Sequence, residues 1–360
     1  MALVADPVAR RSVDVLLRGQ APSGALVACP TYPTYRYAWL RDGAFCACAL
    51  DLVGDRQASS AWHRFVASTI EAHRPLVERA IEGVLAGHDL PSEAFPPARY
   101  TLDGRLEPEN GEPWPNFQID GYGMWLWALE HHLADGAAAP PPAQTIELVA
   151  RYLDATWPLP SFSCWEELDG GAHAATYGAV VAGLEAAARL LEDDRWSAAA
   201  DRVREALLER FVREGAFVRG PADGRVDGSL LWLAVPFGVL RPDHELIART
   251  VAAVERDLAG PGGGLYRYRE DSYYGGGQWL LLTSSLAWHH ARTGDVDRAI
   301  AAQDWVRGRA LENGDLPEQM TEHSQDRSMI APWVERWGAV ATPLLWSHAM
   351  YLLAEAELQR

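Results

Sequence analysis

Two acidic sites stand in aromatic and proline-rich surroundings. Cys164-Trp165-Glu166-Glu167 follows a Pro-rich stretch, and Leu316-Pro317-Glu318-Gln319 lies far downstream. Carboxyls from two separate loops suit paired acid–base work: one donates a proton to a leaving oxygen while the other deprotonates a water on the opposite side. Either signal alone is unspecific, because acids also decorate helix N-termini without any catalytic purpose. The chain carries 15 tryptophans, and several stand near acids: Trp39 near Asp42, Trp114 near Asp120, Trp165 beside Glu166. An aromatic plate ringed by Asp, Glu, Arg or Gln fits a sugar, whose apolar CH face lies on the ring while its hydroxyl rim takes hydrogen bonds. A single tryptophan could equally fill a core, and it is the repeated pairing that favours sugar.

The elements that must position these residues are helical. Tyr177, Val180, Val181, Leu184, Ala188 and Leu191 repeat at helical spacing, as do Val203, Ala206, Leu207 and Phe211, and Leu345, Ala349, Leu352, Leu353 and Ala356. Only short pieces such as 215–219 read as hairpins. At Gly54-Asp55 and Gly294-Asp295, glycine suits the end of one helix and aspartate the N-cap of the next; Glu192-Asp193 marks a similar joint without glycine. Twelve or thirteen helical segments are expected, joined as antiparallel hairpins. The longer interruptions, at 20–38, 89–117, 158–170, 259–277 and 313–343, are rich in Gly, Pro and aromatics, and such insertions usually carry the site. The expected architecture is all-α: an (α/α)6 barrel, a toroid of six helical hairpins with long functional loops at one end. Residues 1–360 are read as a single domain, since the run 137–142 is too short to separate two cores.

Composition narrows the partners. A formal net charge of −17 argues against nucleic acid or an anionic membrane and favours a small neutral substrate. Cys29, Cys46, Cys48 and Cys164 show no metal-ligand spacing and read as buried thiols. No cofactor and no metal is called for. With no apolar leader and no run of about 18 apolar residues, the expected location is cytoplasmic. Assembly into a homo-oligomer is left open.

Six blocks, in order, resemble glycoside hydrolase family 15, the glucoamylases and their bacterial relatives. They are Tyr35-Arg-Tyr-Ala-Trp39-Leu-Arg41-Asp42, Trp114-Pro-Asn-Phe-Gln118-Ile-Asp120-Gly121, Trp165-Glu166-Glu167, Tyr266-Arg267-Tyr268-Arg-Glu-Asp271-Ser-Tyr273, Pro317-Glu318-Gln319 and Trp346-Ser347-His348-Ala349. The resemblance implies Glu166 as general acid and Glu318 as general base of an inverting, exo-acting α-glucoside hydrolase that releases β-D-glucose from non-reducing ends. It implies that Arg41 and Asp42 hold hydroxyls of the terminal glucose and that Trp39 and Trp114 line its pocket. Glu167 and Arg267 would contact the sugar in the leaving position, and Ser347 would hydrogen-bond the base. Tyr35 would sit near the reacting carbon and the attacking water. Gln118, Asp120, Trp165 and Tyr268 are counted with the substrate-binding residues, although loop structure explains Tyr268 and Asp271 equally well. Accessory domains common in the family do not fit this length, which favours short α-gluco-oligosaccharides, with a lean toward α-1,6 (isomaltose-type) linkages. The alternatives are a trehalase of the same family and a catalytically silent sugar-binding protein. The presence of both Glu166 and Glu318 speaks against the latter.

Overall fold

The computed structural model describes residues 6–107, 114–134, 136, 138–167 and 171–360. Residues 1–5, and parts of the expected loops at 89–117 and 158–170 and of the run 137–142, lie outside the described residues. In chain order the helices are α1 (Pro7–Arg18), α2 (Leu40–Leu52), α3 (Arg56–Ala72), α4 (Arg74–Leu85), α5 (Asp120–Leu133), α6 (Ala143–Thr156) and α7 (Ala174–Leu191). Then follow α8 (Asp194–Arg210), α9 (Glu245–Leu258), α10 (Leu280–Thr293), α11 (Val296–Arg307), α12 (Ile330–Trp337) and α13 (Leu345–Leu358). Two-residue strands brace the loops: β1 (Ala38–Trp39) with β2 (Arg99–Tyr100), β3 (Val212–Arg213) with β4 (Ala216–Phe217), and β5 (Leu265–Tyr266), β6 (Gln278–Trp279) and β7 (Gln319–Met320) as one sheet.

Packing closes a ring. α2 packs on α5, α5 on α7, α7 on the 3-10 segment Gly228–Leu233, that segment on α10, α10 on α13, and α13 back on α2. Outside it lie α1 against α13, α3 against α2, α6 and α8 against α7, α9 against the 3-10 segment, and α11 against α10. Apart from α4, which packs on α6, and α12, inner and outer elements alternate along the chain, which is the (α/α)6 barrel. The fourth inner position is filled by a six-residue 3-10 segment where the others hold helices of 13 to 18 residues.

Burial follows from this arrangement. α7 was expected to bury one face, but 14 of its 18 residues are buried, because α5 and the 3-10 segment cover one side while α6 and α8 cover the other. α7 is also the one described helix long and apolar enough to cross a membrane, and most of it is buried here. The joints form as read: Gly54 and Gly294 take left-handed φ of 89° and 82°, and Asp55 and Asp295 cap α3 and α11. At the joint without glycine, Glu192 itself is left-handed (φ 53°), and Asp193 caps α8. The four cysteines are free and buried. The expected loop 313–343 contains α12, a helix with no buried residue.

Candidate active site

The site assembles where the inner helices begin. Trp39 caps α2 and Arg41 and Asp42 lie in its first turn; Asp120 opens α5; Trp279 caps α10; Trp346 and Ser347 lie in the first turn of α13. Helix N-termini carry unpaired N–H groups and partial positive charge, so carboxylates are favoured there. The short ladders hold the loops in register, Trp39 opposite Arg99 and Trp279 opposite Gln319.

Tyr35, Trp39, Arg41, Asp42, Trp165, Glu166, Arg267 and Glu318 line one cavity of about 420 Å³. A second cavity of about 610 Å³ shares Tyr35, Trp165, Glu166 and Arg267 and adds Trp114, Glu167 and Tyr273. The two glutamates from distant loops therefore share one space. Trp114 belongs to the outer cavity, where Arg99 lies 3.7 Å from its ring centre.

Glu166 sits on a strained turn with φ 66°, a conformation that costs a non-glycine residue on the order of 1–3 kcal/mol. Its Oε1 accepts from Trp39 Nε1 at 2.6 Å, Gln118 Nε2 at 3.0 Å and Arg41 Nη2 at 3.3 Å. Three donors on one oxygen leave Oε2 as the atom available to a ligand. Glu318 is 3% exposed, and its Oε2 is buried without a hydrogen-bond partner among the described residues. Burial pushes its pKa up to about 8, against the opposing charge of Arg267 and hydrogen bonds from the Tyr35 and Tyr273 hydroxyls. Those hydroxyls are 2.8 Å apart. Burial also raises Asp42 to about 7, with Arg41 opposing.

Arg41 is held from behind. Its Nη1 donates to Gln118 Oε1 at 2.8 Å and Asp120 Oδ2 at 3.0 Å, and Asp42 Oδ2 lies 3.7 Å from its Nε. With Glu166 taking one Nη2 proton, one Nη2–H remains for a ligand, while the buried Nε faces Asp42. Gln118 and Asp120, expected to bind substrate, are not among the lining residues of either cavity; Asp120 holds Arg41, and Gln118 holds both Arg41 and Glu166. Arg267 is fixed by Asp271 at 2.7 and 2.8 Å and by Glu167 at 2.8 Å, so Asp271 positions Arg267. Tyr268 donates to Glu167 and lines neither cavity. Ser347, expected on the base carboxyl, donates to the Pro317 carbonyl at 3.0 Å: it steadies the backbone next to Glu318 rather than the carboxyl itself.

Some site residues escaped the sequence reading. Asp227 accepts Trp165 Nε1 at 2.8 Å and fixes that indole's orientation, yet it stands in no motif. Tyr273 lay inside a matching block without a role attached. Arg99, beside Trp39 and Trp114, is recognisable only once β1 and β2 pair. Elsewhere, Asp51, His63 and His132 cluster between α2, α3 and α5. Their two imidazoles stack at 4.8 Å and 27°, so the in-plane lone pairs do not converge on one ion.

A closed helical barrel presenting two loop glutamates within an aromatic pocket defines an enzyme of glycan hydrolysis. The chain belongs to the glycosyl hydrolases family 15, whose family model matches residues 5–301. It is 40% identical over 359 residues to the isomaltose glucohydrolase of Kribbella flavida, covering 98% of this chain and 92% of that protein. A trehalase of Thermoplasma volcanium is 24% identical over 288 residues, 73% of this chain and 45% of that one. Among solved structures, a wild-type glycosidase superposes with a TM-score of 0.92 at 38% identity, covering 98% of this chain and 96% of that one. A bacterial glucoamylase complexed with acarbose superposes with a TM-score of 0.76 at 19% identity, over 98% of this chain and 55% of that one, a likeness of fold.

Proposed function

We propose that the protein is an inverting, exo-acting α-glucoside hydrolase that releases β-D-glucose from short α-gluco-oligosaccharides, α-1,6-linked ones first, and that its 360 residues act as one catalytic unit. The observation that carries this is that Glu166 and Glu318, from distant parts of the chain, line one cavity whose wall also holds Arg41 and Asp42. Glu166, with Oε1 saturated by donors, delivers the proton on Oε2 to the glycosidic oxygen. Glu318 takes a proton from water on the opposite ring face, and its raised pKa makes it a stronger base once ionised. The remaining Arg41 Nη2 proton and the Asp42 carboxyl hold hydroxyls of the terminal glucose, while Trp39 offers an apolar face. Arg267 and Glu167 meet the leaving sugar. The α-1,6 preference is supported by the likeness to an isomaltose glucohydrolase.

Glucose release from isomaltose, maltose, panose and trehalose tests the reading. Isomaltose is expected to be cleaved with the highest kcat/KM. Cleavage of trehalose alone would move the assignment to a trehalase, and binding without any cleavage would leave a sugar-binding protein.

A further inference from the structure

The chain between Glu318 and α13 crosses the mouth of the site as α12, which packs on the turn at Tyr273–Gly275 and has no buried residue. Trp333 and Trp337, four residues apart on one helical face, pack ring to ring at 4.9 Å. Both line the outer cavity together with Arg336. From α12, Trp337 reaches Trp114 on the facing loop at 6.2 Å and 31°, and Trp333 meets Tyr273 at 5.1 Å. Beneath them lie Glu167 and Arg267, joined at 2.8 Å.

We infer that α12 is the outer wall of the leaving-group subsite and that Trp337, seconded by Trp333, limits the substrate to two glucose units; this rests on the α-glucosidase reading above. The inner cavity takes the terminal glucose. The outer one offers the next ring indole faces, a guanidinium and a carboxylate, the contacts a single neutral sugar can use. A third unit must leave past Trp114 and Trp337, whose rings already stand within aromatic contact distance, so it can enter only by parting them. α12 is fastened to the barrel by polar bonds at the tyrosine turn: Trp333 Nε1 to the Ser272 carbonyl at 2.9 Å, and Tyr274 Oη to the Gly338 carbonyl at 2.8 Å. The Arg336 guanidinium lies 4.6 Å from the Trp337 ring centre. The wall is thus an attachment that can be trimmed while the acid, the base and the barrel core stay in place.

The experiment compares kcat/KM for isomaltose, isomaltotriose and isomaltotetraose, and for the maltose series, in the parent protein and in Trp337→Ala, Trp333→Ala/Trp337→Ala, Trp337→Phe and Glu335→Ala. Thermal unfolding is followed for each variant as a check on folding. In the parent, kcat/KM should drop steeply from two units to three. Trp337→Ala should shrink that drop by about tenfold, the scale of one aromatic contact of about 1.4 kcal/mol, and the double variant should shrink it further. Trp337→Phe, which keeps a plate, should retain most of the drop, and Glu335→Ala, on the exposed side, should leave it unchanged. An unchanged ratio in a folded double variant, or a parent that cleaves three units as well as two, overturns the inference while leaving the hydrolase reading intact. A parent that releases glucose from no α-glucoside overturns that reading itself, and this is seen before any variant is made.

Discussion

Burial lifts the Glu318 carboxyl to about 8 although Arg267 and two tyrosine hydroxyls pull it down, so desolvation is the larger influence. A carboxyl whose folded pKa lies above its unfolded value binds more protons in the native state. The stability it contributes is therefore present at low pH and is lost as pH climbs from about 4.5 toward 8. Glu318→Gln removes this penalty: its melting temperature relative to the parent should be more favourable at pH 8 than at pH 5, and a difference independent of pH would show that the carboxyl is not held protonated. The same substitution should abolish most activity. Glu166→Gln and Glu318→Gln are each expected to lower kcat by about 10²–10⁴-fold with glucose binding retained, and turnover within tenfold of the parent would remove that residue from its role. At this scale the sequence was informative about which residues meet in one cavity when each stands beside a recognisable neighbour, as with Glu166, Glu318, Arg41 and Arg267. It was silent on Asp227, whose meaning lies in an indole contact 62 positions away. For Gln118 and Asp120, which hold Arg41, spacing cannot distinguish a residue that meets the ligand from one that holds the residue that does.

The inner helices approach one another closely where glycines face each other. A Cβ on Gly123 of α5 would lie 2.2 Å from the Ala179 carbonyl of α7, and one on Gly183 would lie 2.5 Å from the Gly123 Cα. Backbone cannot step aside as a flexible side chain can, so Gly183→Ala should destabilise the fold by about 1–3 kcal/mol, read from the denaturant midpoint. A variant as stable as the parent would mean that the two helices can separate freely at this crossing. Helix ends were legible because their signals are local: Gly54-Asp55 and Gly294-Asp295 each carry their own stop and start. The 3-10 segment Gly228–Leu233 carries no helical period long enough to register, and only ring closure makes it an inner element. α12 was hidden for a related reason. It buries none of its residues, and its pattern of Trp333 and Trp337 answers to the cavity mouth rather than to the barrel core.

The whole barrel decides where a substrate chain can go. Trp346, which lines the inner cavity, stacks on Phe45 at 5.5 Å and meets Trp232 at 5.3 Å, and Phe45 continues to Trp127 at 5.6 Å. These rings, each no more than 4% exposed, fill the space enclosed by the inner helices, so the cavity ends in an aromatic floor. A pocket with a floor admits chain ends and excludes a polymer lying through it, which supports exo attack; internal cleavage of a long α-glucan would contradict it. The barrel also brings the two carboxyls in from different sectors. Glu166 comes from the loop ahead of α7 and Glu318 from the residue just before β7, between α11 and α13, and α7 and α13 do not neighbour each other in the ring. The proposed inverting route needs room for a water between base and anomeric carbon, an arrangement that spans about 6.5–9.5 Å between carboxyls, whereas a retaining pair stands at about 5–5.5 Å and forms a glycosyl-enzyme. On the proposed mechanism, water activated by Glu318 attacks from the face opposite the departing oxygen, so an α-linked substrate yields β-glucose. Proton NMR in the first minutes of isomaltose hydrolysis, before mutarotation mixes the anomers, should show the β signal rising first. An initial rise of the α signal would mean that Glu318 attacks carbon rather than water, and the base assigned here would become a nucleophile.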